Sequence, residues 1–312
     1  NQLAFDAKRQ LVYLSAGDSE LQAIDVRRSN SPKLRHSFGK PKNGLMGFQP
    51  AATELARDIH WLDGMINYII FAIVGLVVVL ILVIVFRFNR RTNPTPASFT
   101  HHTPVEIFWT LGPVLILVFI GAFSLPILFK QQEIPDGDVN IKVTGHQWYW
   151  TYHYSDDDVE FDSYMVGQPA SLDEDARPAD KDVTPYILND AMRAKLVDAG
   201  YNDDEFLLAA DNAMIVPVNK IVVVTVTADD VIHSWTVPAF GVKQDGVPGR
   251  LAQLWFEADK EGIYFGQCSE LCGKDHAYMP ITVKVVSQDE YAKWMAATKA
   301  ADEYVQLSDV KG

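Results

Sequence analysis

The segment "GMINYIIFAIVGLVVVLILVIVF", residues 64–86, contains no charged side chain. As an α-helix it would be roughly 34 Å long, which is enough to cross a hydrocarbon core of about 30 Å. A second uncharged segment, "IFWTLGPVLILVFIGAFSLPILF", occupies residues 107–129. Buried helices of soluble proteins rarely reach this length without a charge, so the two segments predict a transmembrane hairpin within a membrane anchor at residues 40–137. Membrane lipid is therefore the first predicted partner.

The segment between these two helices predicts the orientation of the anchor. It carries Arg87, Arg90 and Arg91 but only one acidic residue, Glu106. Because loops rich in Lys and Arg stay on the cytoplasmic or matrix side, both ends of the chain should lie on the outer side. We therefore expect a multi-pass protein of the bacterial inner membrane, or of the mitochondrial inner membrane in a eukaryote, with its C-terminal domain in the periplasm or the intermembrane space.

The second helix carries its own start signal in "THHTPVE". Thr103 is the predicted N-cap, Pro104 the first helical residue, and Glu106 the acidic member of a capping box. This local interpretation of Glu106 competes with a functional one given below.

Residues 1–39 form an N-terminal extension to which we assign no role. Apolar and polar positions alternate on both sides of "SAGDSE" within "LAFDAKRQLVYLSAGDSELQAIDV", which predicts a β-hairpin. The hairpin resembles a fragment of one propeller blade, and a single blade cannot bury both of its faces.

Residues 138–290 predict an outer domain built from β-strands. Short apolar alternations such as "VNIKVTGHQWYWTYHY" and "YMPITVKVV" are separated by Gly, Pro and Asp, which is typical of an antiparallel sandwich or barrel. A polar insertion at about 163–204 should contain a surface helix with Thr184 as N-cap, Pro185 at its first position and Gly200 at its end. Residues 291–312 predict a C-terminal helix and tail, with Tyr291 and Trp294 packed on the domain.

Composition limits the function classes. The 312-residue chain is 48% apolar, enough for a sizeable core, and its formal net charge is −13. A phosphate backbone requires the opposite charge, so nucleic acid is excluded as a partner and a basic protein is favoured. Two cysteines also exclude a disulfide-rich scaffold.

Both cysteines lie in "CSELCGKDHAYM", residues 268–279, together with His276 and Met279. A disulfide between Cys268 and Cys272 would close a very small ring and add little stability. A zinc site could use both cysteines, His276 and the distant His233 of "DVIHSW", but it leaves the thioether unused, and thioether favours copper. A mononuclear blue-copper site uses two His, one Cys and an axial Met on a β-sandwich, whereas this loop has a second cysteine.

Two thiolates four residues apart could instead bridge a pair of copper ions, each completed by one histidine. Met279 and a backbone carbonyl of the loop would fill the remaining positions. Spreading one unpaired electron over two bridged ions reduces the geometric change on reduction, so such a site suits rapid electron transfer. The residues alone leave the zinc and copper alternatives open.

The chain resembles subunit II of the haem–copper cytochrome c oxidases, of the alphaproteobacterial and mitochondrial type. The resemblance rests on "HSWTVPAFGVKQDGVPGRLAQLWF", "GIYFGQCSELCGKDHAYMPITVKVV" and "GHQWYW", and it covers roughly residues 40–290. It implies a cupredoxin-like Greek-key domain and a dinuclear copper A centre. The implied ligands are His233, Cys268, the main-chain carbonyl of Glu270, Cys272, His276 and Met279. The resemblance also implies a magnesium or manganese ion, shared with subunit I through the Glu270 carboxylate.

The resemblance implies electron transfer from cytochrome c to copper A, and from there to haem in subunit I, where oxygen reduction drives proton pumping. Further oxidase subunits are expected partners. The alternative is a membrane-tethered cupredoxin-like domain with structural zinc or no metal, as in the related quinol-oxidase subunits. Those subunits lack the two cysteines and the His and Met of the loop.

The resemblance assigns two further roles. Trp148 matches the residue through which electrons arrive, and Glu106 matches a carboxylate at the entrance of a proton path. Alternation along a strand predicts that Trp148 and Trp150 share one face, with Trp150 in the core and Tyr149 on the other face. The basic partner should dock on Tyr149 and a ring of carboxylates. These are Asp156, Asp157, Asp158 and Asp230.

Overall fold

The computed structural model describes residues 3–6, 11–16, 20–25, 47–95, 97–171 and 186–310. They form two compact units. One contains the outer domain, and the other is made of the described residues between 57 and 133.

Two long helices make up most of the second unit. Helix α1 is Glu54–Arg87 and helix α2 is Thr103–Gln132, and both are long and apolar enough to cross a membrane. They contain the predicted segments and extend them with polar turns that a search for uncharged residues could not include. Within this unit, Lys130 Nζ lies 2.7 Å from Asp58 Oδ2 and joins the two helices.

The predicted N-cap of α2 is wrong by one residue. His102 is the N-cap and makes no side-chain cap, whereas Thr103 is already helical. Glu106 Oε1 accepts a hydrogen bond of 3.1 Å from the backbone N–H of His102. Glu106 therefore does cap the start of the helix, but its hydrogen-bond partner is His102 and not the predicted Thr103.

The N-terminal extension contains a three-stranded antiparallel sheet rather than only a hairpin. Its strands are β1, Leu3–Asp6; β2, Leu11–Ala16; and β3, Glu20–Asp25. The predicted hairpin is confirmed, because β2 and β3 are antiparallel and Ala16 pairs with Glu20.

The outer domain contains ten strands among its described residues. They are β4, Val139–His146; β5, Tyr149–Tyr154; β6, Val159–Ser163; β7, Met214–Pro217; β8, Ile221–Ala228; β9, His233–Val237; β10, Val242–Gly246; β11, Ala252–Glu257; β12, Gly262–Gln267; and β13, Pro280–Val286. The sheets have the orders β11-β8-β4-β5-β6, β12-β13-β7 and β10-β9.

The predicted β-sandwich is confirmed, but not all of its strand pairs are antiparallel as predicted. Strand β4 pairs with β8 in parallel, and β13 pairs with β7 in parallel, while the other pairs in these sheets are antiparallel. Strands β4 and β8 are neighbours in the sheet but far apart in the chain, and alternation within a strand says nothing about the direction of a distant partner.

The core lies between the sheets. Alternate residues of β4, among them Ile141 and Val143, are buried, and every residue of β13 is buried. Trp150 and Trp235 are fully buried aromatic residues of this core. This confirms the prediction that Trp150 is a core residue.

Three further helices belong to the outer domain. Helix α3, Asp190–Asp198, lies in the insertion, and α4, Gln288–Ala301, and α5, Leu307–Val310, follow the last strand. The predicted cap of α3 is wrong: Asn189 is the N-cap, and its side chain accepts from Met192 N, while Thr184 and Pro185 lie outside the described residues. Trp294 of α4 is fully buried, as predicted.

Candidate metal centre

The loop from Cys268 to Met279 joins β12 to β13 at one end of the sandwich. Both cysteines are buried and free, and their Sγ atoms lie 3.8 Å apart. A disulfide requires about 2.05 Å, so the two sulfurs are not bonded. They are, however, spaced so that metal–sulfur bonds of about 2.3 Å from both could meet at one ion at an angle of about 110°.

The two predicted histidines approach different sulfurs. His233 begins β9, is completely buried, and places Nδ1 3.9 Å from Cys268 Sγ. His276 lies in the loop itself and places Nδ1 3.4 Å from Cys272 Sγ.

The remaining predicted ligands also lie at the sulfurs. Met279 is buried, and its Sδ is 3.4 Å from Cys272 Sγ. The carbonyl oxygen of Glu270 is 3.3 Å from Cys268 Sγ, whereas the Glu270 residue is exposed. All six predicted donors are therefore brought together.

The predicted donor atoms do not all lie around one point. Among the described residues, His233, Cys268 and Cys272 form a group whose donor atoms all lie within 4.8 Å of one another, and His276 is outside it. A tetrahedral zinc ion would need all four donors around a single point. One histidine lies beside each thiol, and the set also offers thioether and carbonyl donors, a combination that suits copper.

Burial sets the protonation of the metal-free site. Desolvation lowers the pKa of His233, so its neutral, metal-binding form prevails near neutral pH. Burial, followed by the neighbouring Cys268, raises the pKa of Cys272 to about 12. Thiolate ligands are deprotonated when they bind metal, so loading this site releases protons.

Asp230 supports the outer side of His233. Its Oδ1 lies 2.9 Å from His233 Nε2, and its Oδ2 accepts a bond of 2.7 Å from Gln147 N. Burial alone would raise the pKa of Asp230, but bonds from His233, Val231 and Gln147 outweigh it and hold the pKa below its ordinary value. The carboxylate therefore fixes the ring so that Nδ1 faces the sulfurs, as metal-binding histidines require.

Two further residues, which had no predicted site role, contact His233 or the ligand loop. Trp150 Nε1 donates to the carbonyl of Met279 at 3.3 Å, and its ring meets that of His233 edge-on, with centroids 5.8 Å apart. At Gly145 a Cβ would lie 2.9 Å from the His233 ring, so a side chain there would displace it. Both residues belong to "GHQWYW", but their contacts with the site join distant parts of the chain and could not be predicted from that motif.

The predicted position of Trp148 is wrong. It lies in the turn between β4 and β5, not on a strand face with Trp150, because β5 begins only at Tyr149. In that turn Trp148 is half-buried against the ligand loop: a Cβ on Gly273 would be 3.0 Å from its ring, and Lys274 Nζ lies 5.3 Å from the ring centroid.

The predicted docking residues lie in two places. Tyr149 stacks between His146 and Tyr164, with centroid distances of 4.5 Å on each side. Asp156, Asp157 and Asp158 follow β5, whose six residues separate them from the Trp148 turn by roughly 20 Å, so they do not surround Trp148.

These three carboxylates also have partners of their own. Asp156 accepts from Asn140, Asp157 lies 2.6 Å from Lys299 Nζ, and Asp158 lies 3.3 Å from His153 Nε2. Asp230, the fourth predicted docking acid, does lie next to the Trp148 turn, as does Asp229.

Two family models together match most of the chain. The family described as "Cytochrome C oxidase subunit II, periplasmic domain" matches residues 139–196 and 185–286, and "Cytochrome C oxidase subunit II, transmembrane domain" matches residues 41–127. The predicted fold class, two membrane helices followed by a cupredoxin-like domain, is confirmed.

Individual relatives carry the same description. The chain is 60% identical over 258 residues to cytochrome c oxidase subunit 2 of Cereibacter sphaeroides, covering 83% of this chain and 82% of the relative. It is 36% identical over 258 residues to the Arabidopsis thaliana subunit 2, covering 80% and 88%. The crystal structure of the periplasmic domain of cytochrome oxidase subunit II of Bradyrhizobium japonicum is 44% identical, covers 54% of this chain and 99% of that chain, and has a TM-score of 0.41.

Proposed function

Since the chain belongs to the cytochrome c oxidase subunit II family, a part of an oxidoreductase complex, we propose that it receives electrons from cytochrome c at a dinuclear copper A centre and passes them to haem in subunit I. Oxygen is reduced in subunit I, and that reduction drives proton pumping. The copper domain then lies in the periplasm of a bacterial inner membrane.

One observation carries this proposal: the two buried sulfurs lie 3.8 Å apart, with His233 beside one and His276 beside the other. Copper bound there would supply a one-electron carrier whose charge is shared between two ions. The thiolates of Cys268 and Cys272 would hold the copper and spread each change of charge over several bonds.

The protein residues hold the centre and exclude water. Asp230 orients His233, and Trp150 holds the Met279 carbonyl, so ligands from distant strands are fixed before metal binds. Cys268, Cys272 and His233 are buried, which limits solvent reorganisation when the charge changes.

Electrons arrive through Trp148 in this proposal. Its ring lies against Gly273, the residue after the ligand Cys272. Gln147 Nε2 also donates to the Cys272 carbonyl at 2.9 Å, which ties the Trp148 turn to the ligand loop. The turn is thus in direct contact with the centre, while Tyr149 and Asp230 face the docking partner together with the more distant Asp156, Asp157 and Asp158.

Two carboxylates have proposed roles toward subunit I. The exposed Glu270 would bind a magnesium or manganese ion shared with that subunit, while its carbonyl serves copper. Glu106, in the first turn of α2, would deliver protons to the path in subunit I.

The test is copper loading of the full chain in detergent. We expect two copper ions per chain, a purple colour and a mixed-valence electron spin resonance signal. Cys272→Ser should abolish the two-copper state, because a hydroxyl does not replace a bridging thiolate. One copper per chain with a mononuclear blue-copper spectrum, or preferential binding of one zinc, would refute the dinuclear centre and favour the alternative of a tethered domain with structural metal.

A further inference from the structure

The insertion between β6 and β7 is built into the outer domain. Val166, Leu196, Tyr201 and Ala209 form a buried cluster with Phe265 of β12. This packing joins the insertion to the strand that leads directly into Cys268.

The end of α3 is anchored as well. Lys284 of β13 is buried, and its Nζ donates to the Ala199 carbonyl at 3.2 Å and lies 4.7 Å from the centroid of the Tyr201 ring. A cation at the C-terminal end of a helix is favourable. The insertion therefore rests on both strands that flank the ligand loop, β12 and β13.

Two residues of the insertion contact the Trp148 turn and the ligand loop. Gln168 is buried, and its Nε2 donates to the carbonyl of Trp148 at 2.9 Å. The Tyr186 ring packs at a tilt of 35° against that of Tyr278, which lies between the proposed ligands His276 and Met279, with ring centroids 4.4 Å apart.

The two contacts come from one local structure. Tyr186 N donates to the carbonyl of Gly167, the residue before Gln168, at 2.9 Å. Gly167 has a φ of +95°, and a Cβ there would lie 3.1 Å from the Phe206 ring, so this position requires glycine. The link at Gly167 holds Gln168 and Tyr186 in a fixed relation to each other.

We propose that Gln168 and Tyr186 form a brace. Through it, the insertion holds the Trp148 turn, where electrons would enter, in a fixed position relative to the ligand loop. They are positioning residues: Gln168 acts through Trp148, and Tyr186 acts through Tyr278. The proposal rests on the proposed function for its purpose, while the brace itself is a property of the chain before metal binds.

Hydrogen exchange of the metal-free full chain tests the brace without copper. In the loop, His276 N bonds to the Gly273 carbonyl and Tyr278 N to the Asp275 carbonyl, so both amides report its order. Tyr186→Ala should accelerate their exchange by about 2- to 10-fold, the factor expected from loss of an aromatic pair. Tyr186→Phe keeps the ring and should exchange as the unsubstituted chain does.

Arg193→Ala is the matched control on the same insertion. Arg193 pairs with Asp190 and Asp203 and has no bond to either functional loop among its described contacts. It should raise exchange in α3 alone. If Tyr186→Ala also raises exchange throughout α3, Tyr186→Leu, which keeps apolar bulk, should leave α3 protected and still loosen the loop. Equal loop exchange in Tyr186→Ala and Arg193→Ala, or in Tyr186→Leu and the unsubstituted chain, overturns the brace.

Copper release and electron uptake extend the test to the loaded chain. Tyr186→Ala should lose copper to a chelator about 2- to 10-fold faster, and Tyr186→Phe should not. Gln168→Met keeps the approximate side-chain size, has no N–H to donate and adds no charge, so it should slow reduction of the centre by cytochrome c without changing the salt dependence. If the unsubstituted chain fails to bind two copper ions, the proposed function fails while the exchange result still decides the brace.

Discussion

Asp230→Asn is the substitution that most directly tests how the protein supports its proposed metal ligands. The carboxylate bonds on one side to His233 Nε2 and on the other to Gln147 N. Asparagine has the same shape but no charge, and one of its two acceptor positions becomes an NH₂ group. Either the imidazole N–H or the Gln147 N–H then faces a donor.

The size of the effect follows from this geometry. Hydrogen bonds to a charged group contribute about 1.5–3 kcal/mol, and loss of an outer partner typically lowers metal affinity about 10- to 100-fold. The Asp230 side chain is 33% exposed, so solvent screens part of its interaction, and we expect the lower end, about 10-fold. Removing negative charge beside the centre should also raise its reduction potential, because the oxidised state carries more positive charge.

The assay is copper release from the loaded full chain to a competing chelator, with the copper hyperfine pattern recorded on the same samples. Asp229→Asn is the control, since this neighbour removes the same charge from a side chain that is 78% exposed and does not contact His233. Both variants should slow association with cytochrome c and flatten its salt dependence, because screening acts over about 8–10 Å. Equal copper release from the two variants would refute a supporting role for Asp230.

Two further predictions concern the port and the proton path. Trp148→Gln should leave cytochrome c binding nearly unchanged and slow reduction of the centre by orders of magnitude in stopped flow, and a normal rate would rule out Trp148 as the port. Glu106→Gln still offers an oxygen to the His102 N–H, so helix stability should hold while turnover of the assembled oxidase falls. Unchanged turnover would leave Glu106 with its capping role alone.

The grouping of the proposed ligands could be predicted because most of them are local. Cys268, Cys272, His276 and Met279 lie in one loop, and only His233 comes from a distant strand. The membrane helices could also be predicted, because a long segment without charges is itself the physical requirement for crossing a bilayer.

The features of the site that could not be predicted are contacts between positions far apart in the chain. The bond from Asp230 to Gln147 joins residues 83 positions apart, and the bond from Trp150 to Met279 joins residues 129 apart. The strand assignment of Trp148 failed for a related reason: an alternating aromatic pattern continues through "GHQWYW", although the chain turns between His146 and Tyr149. Periodicity marks the faces of a strand but not the residue at which it reverses.

These long-range bonds also determine how the port variant must be interpreted. Gln147 lies between Asp230, which bonds to its backbone N–H, and the Cys272 carbonyl, which accepts from its side chain. The residue before Trp148 is therefore bonded both to a ligand of the centre and to the support of another. A substitution that moved this turn would disturb His233 and Cys272 as well as the indole. Slow reduction of Trp148→Gln identifies the tryptophan as the port only if the copper spectrum of that variant is unchanged, because a shifted spectrum would place the defect in the centre itself.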